Sequence, residues 1–271
     1  MPELPEVHTP LEGIRPYLDG RVITAIEVRD RRLRWPIPGD INAMISGHRV
    51  DAMFRRGKYM VIQTDVAALI IHLGMSGSFR IVSPDTLPQT HDHFDIVTDH
   101  GAVARYTDPR RFGCLLYCKT DPLLHPRLAT LGVEPLSRDF SGDCLYFAAK
   151  KRRVPVKSLI MDGKVVVGVG NIYASEALFL SGIHPLRRCN RVSLKRYRNL
   201  AATIVDVLSS AISAGGTTLQ DFTGVDGRPG YFHQELLVYG REGKSCVNCG
   251  TPIRSRTIAQ RSTYFCTECQ T

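Results

Sequence analysis

The segment CVNCGTPIRSRTIAQRSTYFCTEC, residues 246–269, decides the fold of the C-terminus. It holds two Cys-x2-Cys pairs separated by sixteen residues, and their members are Cys246, Cys249, Cys266 and Cys269. Each pair turns two thiolates to one side, and a hairpin between the pairs brings all four around one tetrahedral ion. The spacing predicts a β-hairpin zinc finger with one structural Zn2+ per chain. Four unrelated cysteines, or two redox pairs, are the alternatives.

The remaining cysteines are Cys114, Cys118, Cys144 and Cys189, and they show no metal-ligand spacing. We interpret them as core or incidental residues. The N-terminus MPELPEVHTP lacks the basic flank and apolar stretch of a signal peptide, and no run of eighteen apolar residues follows. We therefore expect a cytoplasmic protein without structural disulfides.

The chain has 271 residues and 43% hydrophobic content, which suits two modest domains. Residues 20–118 alternate or run apolar between turn residues, which predicts strands and a β-sandwich or barrel. The predicted strands are VITAIEV (22–28), YMVIQT (59–64), ALIIHL (68–73), SFRIV (78–82), FDIVTD (94–99), VARYT (103–107) and CLLYC (114–118).

The hydrophobic period changes after residue 140, which predicts a helical domain. The glycine, proline and polar residues of LGVEPLSRDF (131–140) predict a hinge or linker before it. Ser193 is a candidate cap for the last helix, and Gly215-Gly216 a candidate end. The predicted helices are 140–151, 156–161, 170–181 and 193–214.

The formal charge of +9 indicates a polyanionic partner. Twelve lysines and arginines lie between residues 150 and 198, opposed only by Asp162 and Glu176. A phosphate backbone would explain this concentration of charge, and a solvated helical face is the alternative.

Pro2 follows the initiator Met1 directly, so removal of the methionine would expose a secondary amine. Terminal amines have a pKa of about 8, against about 10.4 for lysine, so part of such an amine is nucleophilic at neutral pH. A helix starting nearby would favour the neutral amine further, and Glu3 and Glu6 supply carboxylates for proton transfer. A Pro-Glu start is also simply a favourable beginning for a helix.

Several segments occur in an order that, with the cysteine finger, resembles the bacterial formamidopyrimidine-DNA glycosylase (Fpg) family. They are PELPEV (2–7), RRGKY (55–59), HLGMSGSF (72–79), RYTDPRRFG (105–113), VGVGNIYASEALF (167–179), GRPGYFHQELLVYGR (227–241) and QRSTYFC (260–266). The resemblance implies an α+β multidomain protein: an N-terminal catalytic β-sandwich (1–135), a helix-two-turn-helix domain (136–225), and a zinc finger with a preceding lesion-capping loop (226–271).

By the same resemblance the chain is a monomeric base-excision repair enzyme with glycosylase and abasic-site lyase activities. Its partner would be double-stranded DNA containing an oxidised purine, such as 8-oxoguanine or a formamidopyrimidine, or an abasic site. Catalysis would use the Pro2 amine as nucleophile at C1′, Glu3 to protonate the sugar ring, and Lys58 as an assisting group. An iminium and successive β and δ eliminations would follow.

The resemblance also assigns DNA contacts. Met75, Arg110 and Phe112 would fill the space left by the flipped nucleotide, with Arg110 facing the orphaned cytosine, and residues 223–232 would close over the flipped base. Taken without the family, Met75 and Phe112 would be core residues and Arg110 a salt-bridge partner. The remaining predicted contacts are Lys58, His72, His91, Lys157, Asn171 and Arg261.

Three positions depart from the family pattern: His8, Pro10 and Gly163. An endonuclease VIII type relative acting on oxidised pyrimidines is the nearest alternative, although PELPEV and the complete RRF wedge favour Fpg. A catalytically silent zinc-finger protein that binds damaged DNA is the alternative from a different class.

Overall fold

The computed structural model describes residues 2–215 and 236–271. These residues divide into two compact units, one of residues 2–129 with 214–215 and one of residues 130–213 with 236–271. Within these ranges no helix is both long enough and apolar enough to cross a membrane.

The first helix, α1 (Leu4–Leu18), begins directly after Glu3. Glu3 and Glu6 form a reciprocal capping box, in which the Glu3 amide donates to Oε2 of Glu6 at 2.9 Å. Pro10 lies beyond the first turn, where it removes one helical hydrogen bond. The helix continues through it because the side chains at Val7, Leu11, Ile14 and Leu18 form one buried apolar face.

The first unit continues with eight antiparallel strands and one short helix. Their sequential hydrogen bonding gives the order β5-β7-β6-β1-β2-β3-β4-β8. The elements are β1 (Val22–Val28), α2 (Ile41–Ile45), β2 (His48–Arg56), β3 (Tyr59–Thr64), β4 (Ala68–His72), β5 (Ser78–Val82), β6 (Asp92–Thr98), β7 (Val103–Thr107) and β8 (Cys114–Cys118).

The strands form two four-stranded layers that meet at β2. Strand β2 pairs with β1 only through its first residues, at Val22↔Arg49 and Ile23↔His48, and pairs with β3 along most of its length. Inward side chains of both layers, such as Phe94 from β6 and Leu69 from β4, belong to the same buried core. The predicted β-sandwich is therefore confirmed.

The second unit contains four helices and a hairpin. Ser193 caps the last helix as predicted, because its Oγ accepts from the amide of Arg196 at 3.4 Å. Gly215, with a φ of 82°, follows the end of that helix. The elements are α3 (Gly142–Ala149), α4 (Val156–Ile160), α5 (Asn171–Leu180), α6 (Leu194–Ser213), β9 (Arg254–Ile258) and β10 (Arg261–Phe265).

Residues 131–140, the predicted linker, are built into the second unit. The Gly132 amide donates to the carbonyl oxygen of Gly163 at 2.8 Å, and Val133 forms a parallel bridge with Val166. A β-carbon at Gly163 would meet only the side chain of Leu131, at 4.0 Å. Gly163 is one of the three departures from the family pattern, and its surroundings have space for a side chain.

Candidate functional site

The N-terminal segment is buried at the start of α1. Pro2 is buried and Glu3 is 2% exposed. The positive end of the helix dipole lies at Leu4, directly after this segment. Met1 lies outside the described residues.

Lys58 lies in the two-residue turn between β2 and β3, beside His72 of β4. Gly57 takes the first turn position with a φ of 58°, as a type II′ hairpin requires, and Tyr59 pairs with His72 across the strands. Burial, followed by the charges of Lys58 and Arg34, lowers the pKa of His72 to about 4. The imidazole is therefore neutral at pH 7.

The tautomer of this histidine follows from its hydrogen bond. Nδ1 of His72 accepts from the Gly74 amide at 2.9 Å, so the single ring proton lies on Nε2. His72 can thus donate one uncharged hydrogen bond to an acceptor such as a phosphate oxygen.

Two loops present the predicted wedge residues. Met75, between β4 and β5, is 37% exposed, and Phe112, between β7 and β8, is 45% exposed, so neither is a core residue. The Arg110 guanidinium lies over the Phe112 ring at 5.1 Å from its centroid. Among the described residues Arg110 has no carboxylate partner within salt-bridge distance.

A buried carboxylate, Asp108, joins these two loops. It accepts from the Ser76 hydroxyl at 2.7 Å, from the Gly113 amide at 2.8 Å and from the Arg110 amide at 3.3 Å. Ser76 belongs to the loop of Met75, whereas Arg110 and Gly113 belong to the loop of Phe112. One side chain therefore fixes both loops by hydrogen bonds to a charged acceptor.

Close backbone contact reinforces this connection. A β-carbon at Gly74 would overlap the backbone of Phe112 and Gly113, and one at Gly77 or Gly113 would overlap the Tyr106 hydroxyl. Gly74 also has a φ of 67°, which side chains rarely allow. These glycines let the two loops lie directly against each other.

His91 lies at the base of the same loop system. It is exposed, its φ is 75°, and its carbonyl oxygen accepts from the Asp108 amide at 3.0 Å. The structure thus brings Met75, His91, Arg110 and Phe112 to one end of the sandwich.

In the second unit, Lys157 is buried behind Asn171. Its Nζ donates to Oδ1 of Asn171 at 2.7 Å and to the Thr263 hydroxyl at 2.9 Å. Nδ2 of Asn171 donates to the Ser262 carbonyl oxygen at 2.9 Å. With 1% exposure, Lys157 orients Asn171 and the hairpin rather than presenting its charge at the surface.

Arg261 is exposed at the start of β10 and lines a cleft of about 200 Å³ with part of α4. The turn before it contains Ala259 and Gln260, both at positive φ. The hairpin therefore holds Arg261 on the same side as Lys157, which lines the same cleft.

The four cysteines of the finger form one cluster. Their sulfur atoms all lie within 4.8 Å of one another. Hydrogen bonds from Thr251 lower the pKa of Cys249 to about 6, whereas burial raises the pKa of Cys266 and Cys269, so in the absence of a metal the charge of the cluster lies on Cys249. The arrangement fits a four-coordinate structural ion with no open position.

Glu176 attaches the finger to α5. Its buried carboxylate accepts from the amides of Leu237, Val238 and Tyr239 at 2.8, 3.1 and 2.9 Å. Burial raises its pKa. Val238 then packs with Cys246 in the small core of the finger.

Much of the basic segment 150–198 is used inside the second unit. Arg152 pairs with Asp162 at 2.8 Å, and Arg198 pairs with Asp143 at 3.1 Å. Arg196 donates to the Gly182 carbonyl oxygen at 2.7 Å. Only part of this charge excess is therefore available to a polyanion.

Comparison with known proteins places this arrangement in a family. Residues 1–115 match the formamidopyrimidine-DNA glycosylase N-terminal domain, residues 131–223 its H2TH domain, and residues 243–271 a zinc finger found in FPG and IleRS. The formamidopyrimidine-DNA glycosylases of Syntrophotalea carbinolica and Xylella fastidiosa are 53% and 52% identical over 100% of both chains. The chain belongs to the formamidopyrimidine-DNA glycosylase family.

Solved Fpg structures share the fold. The Fpg protein of Thermus thermophilus superposes with a TM-score of 0.87 at 36% identity, covering 99% of this chain and 98% of that one. Lactococcus lactis Fpg in complex with abasic-site DNA gives 0.90 at 31% identity, covering 99% of each chain. The predicted fold class, with its sandwich, helical H2TH domain and cysteine hairpin, is confirmed.

Two elements expected of an Fpg chain lie outside the described residues, namely Met1 and the loop 223–232. Conversely, the sequence did not single out Asp108, Ser76 or Glu176 as site residues. Asp108 and Glu176 lie within the segments that carry the family resemblance. The sequence alone does not show that their carboxylates are buried and accept several hydrogen bonds.

Proposed function

We propose that this chain excises oxidised purines, 8-oxoguanine and formamidopyrimidines, from duplex DNA and cleaves the strand at the resulting abasic site. The observation that carries the proposal is the full-length identity of 53% to a formamidopyrimidine-DNA glycosylase. Structures of the Lactococcus lactis protein that contain abasic-site DNA and Fapy-dG DNA add support.

The chemistry begins at Pro2 once Met1 has been removed. The neutral amine attacks C1′, the N–C1′ bond forms, the bond from C1′ to the damaged base breaks, and the proton lost by the Pro2 nitrogen balances the one taken up by the departing base. Glu3 delivers a proton to the ring oxygen as the sugar opens, which leaves an iminium on the Pro2 nitrogen. Loss of a sugar proton then expels the 3′ phosphate, and a second elimination expels the 5′ phosphate.

The wedge loops hold the duplex open during this reaction. Met75 and Phe112 enter the space vacated by the flipped nucleotide, and Arg110 turns its donors to the orphaned cytosine. The Arg110 guanidinium lies over the Phe112 ring, a contact that uses none of its N–H groups as conventional hydrogen-bond donors, so they remain available to a base edge.

Phosphate contacts come from both units. Lys58 contributes a charge and His72 a neutral Nε2 donor in the first unit, and His91 contacts DNA beside the wedge. In the second unit Asn171 and Arg261 bind phosphate oxygens, and Lys157 supports them from behind.

The four finger cysteines hold one structural Zn2+, which supplies no catalytic step. The enzyme works as a monomer in the bacterial cytoplasm. Its proposed domains are residues 1–135, 136–225 and 226–271.

Borohydride trapping tests the proposal. The protein, with its N-terminus checked by mass spectrometry, is mixed with a duplex carrying 8-oxoguanine opposite cytosine, and reduction converts an iminium into a stable adduct. We expect an adduct that maps to Pro2 and is lost in Pro2→Gly. A protein that lacks Met1, binds the lesion duplex and yields no adduct would instead be a silent damage-binding protein.

A second duplex carrying an oxidised pyrimidine separates Fpg from endonuclease VIII specificity. Faster trapping on the pyrimidine substrate would contradict the proposed purine preference while leaving the nucleophile assignment intact.

A further inference from the structure

A tryptophan flanked by two arginines lies in the first unit, and none of the three residues is among the DNA contacts assigned above. The Arg127 guanidinium carbon is 3.8 Å from the Trp35 ring centroid, and that of Arg34 is 4.9 Å away. Arg34 belongs to the loop after β1, and Arg127 follows β8. Both arginines are exposed, whereas Trp35 is half-buried.

No described carboxylate neutralises this pair of cations. Among the described residues neither Arg34 nor Arg127 has a carboxylate partner or a side-chain hydrogen bond. The nearby carboxylate of Asp30 is already paired with Arg32 at 2.9 Å and with Arg111 at 3.1 Å. Two like charges held at one ring repel each other unless an anion lies between or beside them.

Both cations keep their hydrogen-bond donors beside the ring. A guanidinium that lies over an indole is attracted to the ring without using its N–H groups in conventional hydrogen bonds. Those donors match phosphate oxygens, which accept two parallel hydrogen bonds from one arginine. Trp35 thus holds two forked donors ready for an anion.

The loop that carries Arg34 is attached to the wedge. The Arg34 amide donates to the Gly113 carbonyl oxygen at 3.0 Å, and the Asp30–Arg111 ion pair is a second link to the loop of Phe112. We therefore infer that a duplex opened by the wedge would run beside this loop.

We propose that Arg34 and Arg127, held by Trp35, form an additional binding site for the DNA phosphate backbone beside the wedge. The inference rests on the proposed function only in taking duplex DNA as the anion. The site reads no base, so it strengthens binding to damaged and undamaged duplex alike.

The salt dependence of binding tests the proposal. Fluorescence anisotropy with an undamaged duplex gives the dissociation constant of the wild type and of Arg34→Gln/Arg127→Gln between 50 and 200 mM KCl. Each lost phosphate contact reduces the slope of log K against log salt by about 0.9, so the double variant should lose about 1.8. The ratio of the wild-type binding constant to that of the double variant should therefore fall about 12-fold between 50 and 200 mM KCl.

Arg21→Gln/Arg49→Gln is the matched control. These two arginines lie where β1 and β2 pair, at the start of β1, roughly 20 Å along the strand from the loop, and their loss removes the same net charge. The control should leave the slope close to that of the wild type. Trp35→Leu, which keeps both charges but releases them, should weaken binding less than the double variant.

Equal slopes for the wild type and the Arg34/Arg127 double variant would overturn the proposal. A slope change of the same size in the control would also overturn it, because net charge alone would then explain the effect. Failure of the wild type to release any base from lesion DNA contradicts the proposed function instead, since the salt slope is measured on undamaged duplex.

Discussion

Asp108→Asn would convert one buried oxygen of the carboxylate into an NH2 group. Oδ1 accepts from Ser76 and from the Arg110 amide, and Oδ2 accepts from the Gly113 amide. Whichever oxygen is replaced, a backbone N–H faces another donor. A buried donor without a partner costs about 1–3 kcal/mol, and the loss of the charge weakens the bonds that remain. We expect the free energy of unfolding to fall by roughly 2–4 kcal/mol.

Urea unfolding of the full chain measures this change. Ser76→Ala is the control: it removes the hydroxyl's bond to Asp108 and its longer bond from the Arg110 amide, leaves the carboxylate in place, and should cost about 1 kcal/mol. Single-turnover excision of 8-oxoguanine opposite cytosine, measured where both proteins are folded, should slow by at least about tenfold, because misplacing positioned groups is costly. An unfolding midpoint equal to that of the wild type would refute the account of Asp108 as the connection between the loops.

Three other changes test separate features. Gly74→Ala should destabilise the protein more than Gly47→Ala, because both glycines have positive φ but only Gly74 lacks space for a β-carbon; equal urea midpoints would contradict this. The pKa of His72 is about 4 in the folded state, below its value of about 6.5 in unfolded chains, so the unfolded state binds more protons between these pH values. The free energy of unfolding should therefore fall as pH is lowered from 6.5 to 4, and fall less in His72→Asn; parallel profiles would refute the assignment. Cys249→Ser should abolish metal retention and weaken duplex binding; native mass spectrometry that still finds one zinc would refute four-thiolate coordination.

Most strands were predictable from the sequence because each contains a short apolar run bounded by turn residues. YMVIQT and CLLYC coincide with β3 and β8. Strand β2 was missed, since a register shift between Val50 and Ala52 leaves its buried residues Val50 and Met53 three positions apart, which breaks the alternation. A period-two pattern cannot reveal a strand that contains a bulge.

Site residues could be predicted from the sequence alone only where the residue type and its spacing indicate the chemistry. The finger cysteines follow from spacing alone, but Asp108 acquires its role from Ser76, 32 residues away in the chain. Lys157 stood in a basic run and was predicted to contact DNA, but the run does not indicate its hydrogen bond to Thr263, 106 residues away. Such partnerships depend on tertiary contact, which the local pattern does not encode.

The hydrogen bonds that join the hairpin to Lys157 and Asn171 have a consequence for metal exchange. If Asn171 binds phosphate and the cysteines bind zinc, as proposed, a metal that orders the hairpin also orders the partners of Asn171, and the two occupancies are linked. Linkage is reciprocal: whatever factor the metal contributes to duplex affinity, the duplex returns to metal affinity. Bound duplex should then make the finger more resistant to a chelator.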